Sequence, residues 1–185
     1  MLSDAEKQFL LKIARQSVES AVRKSPEIET TPSLPTLPSL EKPRGAFVTL
    51  RIENILRGCI GYVDPVKPLR ETVRLASAKA ALEDTRFSPI LPEELPDVWI
   101  ELSVLSPMER ITGIEEIEIG RHGVVVDSGR LRGLLLPQVA VEYGWSRETF
   151  VGQTARKAGL SFNAWNEPGV TVSVFTAEIF SERSL

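Results

Sequence analysis

Phe9, Leu10, Ile13, Ala14, Val18, Ala21 and Val22 recur at the spacing of one helix face. Ser3 with Glu6 three residues later has the form of a capping box. Together they predict a helix from Ser3 to about Lys24, with that stripe buried. Over residues 25–43 the pattern breaks. Pro26, Pro32, Pro35, Pro38 and Pro43 punctuate a Ser/Thr-rich stretch. Proline removes amide donors and restricts the residue before it, so neither a helix nor a central strand is expected. Leu34, Leu37 and Leu40 suit an extended strap; a mobile linker is the alternative.

The period then changes to two. Ala46, Val48, Leu50 and Ile52 alternate with Phe47, Thr49 and Arg51, as on a strand. Glu53-Asn54 offers a tight turn, and residues 55–62 return as a second strand. A two-residue loop would set Ile52 against Ile55, Leu50 against Arg57 and Val48 against Cys59. That register puts Cys59 on the apolar face, and a bulge at Gly58 or Gly61 would reverse it. Asp64-Pro65 opens a predicted helix that buries Leu69, Val73, Ala76 and Ala80. A proline-marked loop over 84–96 leads to a strand through Val98, Ile100, Leu102 and Val104.

Gly120-Arg121-His122-Gly123 precedes a strand at Val124-Val125-Val126. A turn at Asp127-Ser128-Gly129-Arg130 returns the chain over 131–136, and Pro137 fits a first helical position. Ser146 starts a further helix that Gly159 stops. Val170, Val172 and Val174 predict a last strand. Strands joined by tight turns are antiparallel. The class is therefore α+β, with a largely antiparallel or mixed sheet and packed helices. Leu131-Arg132-Gly133 echoes Leu56-Arg57-Gly58, too short a match to mark a duplication.

Composition narrows the function classes. The 185 residues carry a net charge of −3, which disfavours broad nucleic-acid or anionic-membrane binding and leaves room only for a local basic groove. No run of about 18 apolar residues spans a membrane, and the amphipathic N-terminus is unlike a signal peptide. One cysteine forms no internal disulfide. The expected location is cytoplasmic. One cysteine and one histidine make no zinc cage, and no metal or cofactor is expected.

The candidate chemistry centres on "LRGCIG", residues 56–61. A thiolate is a good nucleophile, and its pKa falls beside a cation. Arg57 would share a face with the sulfur on a regular strand. Gly58 and Gly61 let a substrate or another backbone come close. Free cysteine is also among the most buried residue types, so a packing role for Cys59 is the favoured reading from the residues alone. His122, the sole histidine, would have to lie in hydrogen-bond reach of the thiol, with Asp64, Glu83, Asp84 or Asp127 orienting it. Otherwise it is a loop histidine that satisfies backbone groups. Glu83-Asp84-Thr85-Arg86-Phe87 could set a carboxylate and a guanidinium at a pocket mouth, or pair on the surface. Trp99, Trp145 and Trp165 suit core packing.

These segments occur in a fixed order: "AFVTL…LRGCIGY" over 46–62, "DTRFSPI" over 84–90, "ELSVLSP" over 101–107, "GRHGVVV" over 120–126, "GLLLPQVAVEYGW" over 133–145 and "RKAGL" over 156–160. In that order they resemble the AMMECR domain family, in particular its prokaryotic branch, AmmeMemoRadiSam system protein A. The resemblance covers nearly the whole chain and implies one AMMECR-type domain with two unequal α+β lobes. It implies a cleft near LRGCIG, lined by Leu56, Arg57, Gly58, Ile60, Gly61 and Arg86. It also implies association with a radical S-adenosylmethionine protein and a Memo-like protein, and hence an accessory or regulatory role. It supplies no reaction, and leaves a small ligand or nucleic acid open as partner. Relatives often carry a second cysteine where this chain has Ala155, which weakens a resolving-thiol scheme here. The alternative is an enzyme with Cys59 as nucleophile or redox thiol and His122 as acid/base.

Overall fold

A computed structural model of the chain describes residues 1–25, 37–64 and 66–184. Most of the proline-marked stretch, with Pro26, Pro32, Leu34 and Pro35, lies outside the described residues, as does Pro65. The chain forms two compact units of unequal size: Met1–Leu105 with Glu178–Leu185, and Ser106–Ala177.

In the first unit α1 spans Asp4–Arg23, opened by the Ser3–Glu6 capping box and ended by Lys24 in the left-handed region. β1 (Ala46–Ile52) and β2 (Ile55–Tyr62) form the expected hairpin, with Glu53 at φ +54° in the turn. α2 runs over Leu69–Leu82, starting later than the Asp64-Pro65 signal suggests. Pro68 biases the residue before it away from helical backbone, so the helix begins only after it. β3 is Val98–Leu105, and β8 (Ala177–Ser181) completes a four-stranded sheet of order β2-β1-β3-β8. β1 is antiparallel to both β2 and β3. The core joins Leu10, Ala14 and Val18 of α1 to Val73, Ala76 and Ala80 of α2, and to Val48, Leu50, Ile100 and Leu102. Leu40 is buried in it and Leu37 packs against it.

The hairpin register differs from the two-residue-loop expectation. Ile52 faces Ile55 and Arg51 faces Leu56, but Leu50 faces Gly58 and Thr49 faces Cys59. Arg57 is the extra residue of a bulge, which shifts every later partner by one. Cys59 therefore stands on the face of Thr49, and Ile60 takes the place opposite Val48.

The second unit has its own four-stranded sheet, order β4-β7-β5-β6: β4 Glu109–Arg110, β5 Gly123–Asp127, β6 Arg132–Leu135 and β7 Thr171–Phe175. α3 (Pro137–Glu142) begins at its proline, and α4 (Arg147–Lys157) is capped by Ser146. Ile117, Val124, Val126, Phe150, Val151, Ala155, Val172 and Val174 belong to its core. The sequence pattern ended the last strand at Val174 and did not anticipate β8. Only Thr176 lies between β7 and β8, without a turn signal, although β8 joins the first unit's sheet. The Leu-Arg-Gly echo has a packing cause. A Cβ on Gly58 would stand 2.2 Å from the Ala80 carbonyl oxygen of α2, and one on Gly133 would stand 2.6 Å from the Thr154 carbonyl oxygen of α4. Each glycine lets a helix backbone rest on its strand.

Candidate functional site

The bulge decides what Arg57 does. Its Nε and Nη2 donate to the two Glu94 carboxylate oxygens at 2.8 and 2.9 Å. Nη1 donates to the Ser88 carbonyl at 2.6 Å and Nη2 to that of Pro89 at 3.2 Å. Arg57 therefore ties β2 to the loop before β3; it is not the thiol's cation. The Arg57 guanidinium, helped by the Leu91 amide, holds the Glu94 carboxyl below its usual range.

Cys59 is held by residues far along the chain. Its amide donates to Asp84 Oδ2 at 2.8 Å, and its carbonyl accepts from Arg86 Nη2 at 3.3 Å. Asp84 in turn receives Arg86 Nε at 2.9 Å and Nη2 at 2.7 Å, a bidentate pair. The two side chains thus satisfy both backbone groups of Cys59, as a neighbouring strand would. Asp84 is buried, whereas the Arg86 side chain is 56% exposed. Hydrogen bonding from Arg86, then from the Cys59 and Arg86 amides, drives the Asp84 carboxyl far below the usual carboxylate range. Asp84 likewise raises the Arg86 guanidinium, and the Cys59 side chain adds to that. Thr49 Oγ1 donates to the Cys59 sulfur at 3.4 Å. The sulfur belongs to a half-buried residue. It has the Thr49 hydroxyl for company, and the Arg86 guanidinium lies on the same residue's carbonyl, half in solvent and able to meet a bound anion.

Of the remaining motif residues, Leu56 and Ile60 are half-buried on β2. Gly61 lies under the Phe47 ring, 2.3 Å from where its Cβ would be. His122 belongs to the second unit, just ahead of β5. Its Nδ1 accepts from the Glu118 amide at 3.2 Å, and among the described residues it makes no hydrogen bond to a carboxylate. Asp84 is taken up by Arg86 and Cys59, Asp127 by Arg132 and the Gly129 amide, and Glu83 by Lys79. Among the described residues, no group of three His, Cys, Asp or Glu side chains suits a metal ion. Sequence reasoning named Thr49 only as a strand residue, and Asp84 both as an orienter for His122 and as part of a carboxylate–guanidinium cluster with Arg86. The i,i+2 spacing of Asp84 and Arg86 was the signal for their pairing.

The AMMECR1 family model matches residues 11–180. The chain belongs to the AMMECR1 family. A protein of Thermococcus gammatolerans is 44% identical, over 98% of this chain and 92% of its own. One from Methanothermobacter thermautotrophicus is 43% identical, over 98% of this chain and 96% of its own. The crystal structure of an uncharacterized protein from Pyrococcus horikoshii superposes with a TM-score of 0.87 at 40% identity, covering 99% of this chain and 94% of that one. This AMMECR1 chain therefore shares one α+β fold with that protein over nearly its full length. No helix among its described residues is long and apolar enough to cross a membrane.

Proposed function

We propose that this AMMECR1 protein is a cytoplasmic accessory or regulatory component that works with a radical S-adenosylmethionine protein and a Memo-like protein, docking through the surface around LRGCIG. The supporting observation is that the motif is mostly architectural. Arg57 is a tie to Glu94, Gly58 a seat for α2, and the Cys59 backbone is clamped by Asp84 and Arg86. The result is a rigid edge with one half-free guanidinium and one half-buried thiol. Such a preformed edge suits recognition, which gains from ordering that is already in place. The test is pull-down of the purified radical S-adenosylmethionine and Memo-like proteins by the full chain. Arg86→Glu should weaken capture at least tenfold, and Cys59→Ser should leave it intact. Equal capture by wild type and Arg86→Glu, or none by either, removes the reading.

One observation favours a second reading. Thr49 Oγ1 donates to a half-buried sulfur, and the Arg86 guanidinium donates to the same residue's carbonyl, a polar setting compatible with a nucleophilic or redox thiol. Rapid alkylation of folded protein, with loss of any partner-dependent activity in Cys59→Ser, would select the enzyme. Alkylation only on unfolding would reject it.

A further inference from the structure

The second unit holds a hollow of about 620 Å³ that none of the candidate residues above lines. Small-ligand sites run from about 300 to 1,000 Å³. Its walls come from two segments, residues 110–114 leaving β4 and residues 165–172 leading into β7. They run together as far as Ile111, whose amide donates to the Val172 carbonyl at 3.1 Å. Past that point the pairing stops. The Thr112 amide and hydroxyl donate to Glu116 Oε1 at 2.8 and 2.9 Å, and the Val170 amide turns back to the Glu167 carbonyl at 3.2 Å. The hollow opens where the two segments part.

Two donors in its lining lack acceptors. Trp165 Nε1 is buried without a hydrogen-bond partner. Arg110 is exposed, and its side chain makes no hydrogen bond or ion pair among the described residues. A buried, unsatisfied N–H is costly and uncommon in folded proteins. Ile111, Ile114 and Val170 supply apolar wall.

We propose that this hollow binds a small organic acid. Arg110 takes the carboxylate through charge-assisted hydrogen bonds. The apolar body lies against Ile111, Ile114 and Val170, and the indole N–H of Trp165 is the second donor. Nε1 is enclosed in the wall, so this donation requires the indole to turn toward the ligand. Glu167 also lines the hollow, and its charge selects a monoacid over a polyanion.

The probe is 3-phenylpropionate, with uncharged 3-phenylpropionamide as control, added to the ¹⁵N-labelled full chain. The three tryptophans give three indole N–H signals, and Trp165→Phe identifies the one that matters. With the acid that signal should move and saturate at a Kd of about 1 mM or tighter, with the amide at least about tenfold weaker. Arg110→Ala, an exposed change, should weaken the acid about tenfold and leave the amide unaltered, while Glu167→Gln should tighten the acid. No saturable shift up to about 20 mM overturns the proposal. So does a shift of another indole only, an equal response to acid and amide, or undiminished acid binding by Arg110→Ala.

Discussion

A Cβ at position 58 would stand 2.2 Å from the Ala80 carbonyl oxygen, a backbone atom that cannot swing aside. Gly58→Ala should therefore destabilise by about 1–3 kcal/mol, the range of overpacked cores, as read from the denaturant midpoint. Asp84 carries the other decisive contact at this scale. Asp84→Asn keeps the shape but loses the charge-assisted bonds. It should cost about 1–2 kcal/mol near neutral pH, discounted because Arg86 is half in solvent. The cost depends on pH with a definite sign. The folded carboxyl titrates far below its usual range, whereas the unfolded one titrates near ~3.9. Wild type keeps its full advantage over Asn above the unfolded value, and loses it as the pH falls through the acidic range below that. Denaturation of both proteins between neutral and strongly acidic pH should show the gap closing on the acid side. A gap that widens there would contradict the pairing.

Among the elements, the hairpin and the first helix offer the clearest tests. Glu53 holds φ +54° in the β1–β2 turn, a conformation that costs a residue with a Cβ. Its carbonyl accepts from Trp99 and Arg183, contacts that do not involve the side chain. Glu53→Gly should thus raise stability, by about 0.5–1 kcal/mol, measured as a higher thermal midpoint. Ser3→Ala removes the hydroxyl of the capping box and should cost about 1 kcal/mol, with α1 fraying first in hydrogen exchange. Both strand ends of that hairpin and the N-cap of α1 were readable from residue pattern alone, because turns and caps are chosen by side chains within a few positions. The bulge at Arg57 was not. Period-two alternation assigns faces by counting, and one inserted residue reverses the count without leaving a mark in composition. β8 was missed for a related reason: its short run after Val174 carries little period-two signal, and its place is set by pairing with a sheet formed far earlier in the chain.

For the whole molecule, the second unit is an insertion between β3 and β8 with its ends tied together. The Ser106 amide donates to the Thr176 carbonyl at 2.8 Å, and the Thr176 amide to the Ser106 hydroxyl at 2.9 Å. Each unit has its own hydrophobic core. Replacing residues 107–175 by a short glycine-rich turn should leave the first unit folded, since ends already adjacent close a loop at little entropic cost. Circular dichroism and a cooperative denaturant transition check it. A non-cooperative product would show that the first unit depends on the second.

Family membership and the α+β class followed from the ordered segments and from hydrophobic periodicity, which are local properties of the chain. The candidate site was legible only in part. Cys59 and Arg86 stood out, but the sequence suggested Arg57 as the thiol's cation. The folded chain instead hands Arg57 to Glu94, 37 residues away, and gives Cys59 to Asp84, 25 residues away. Contacts of that range depend on where α2 and the following loop come to rest against β2. No spacing along the chain encodes that placement; packing of the core determines it.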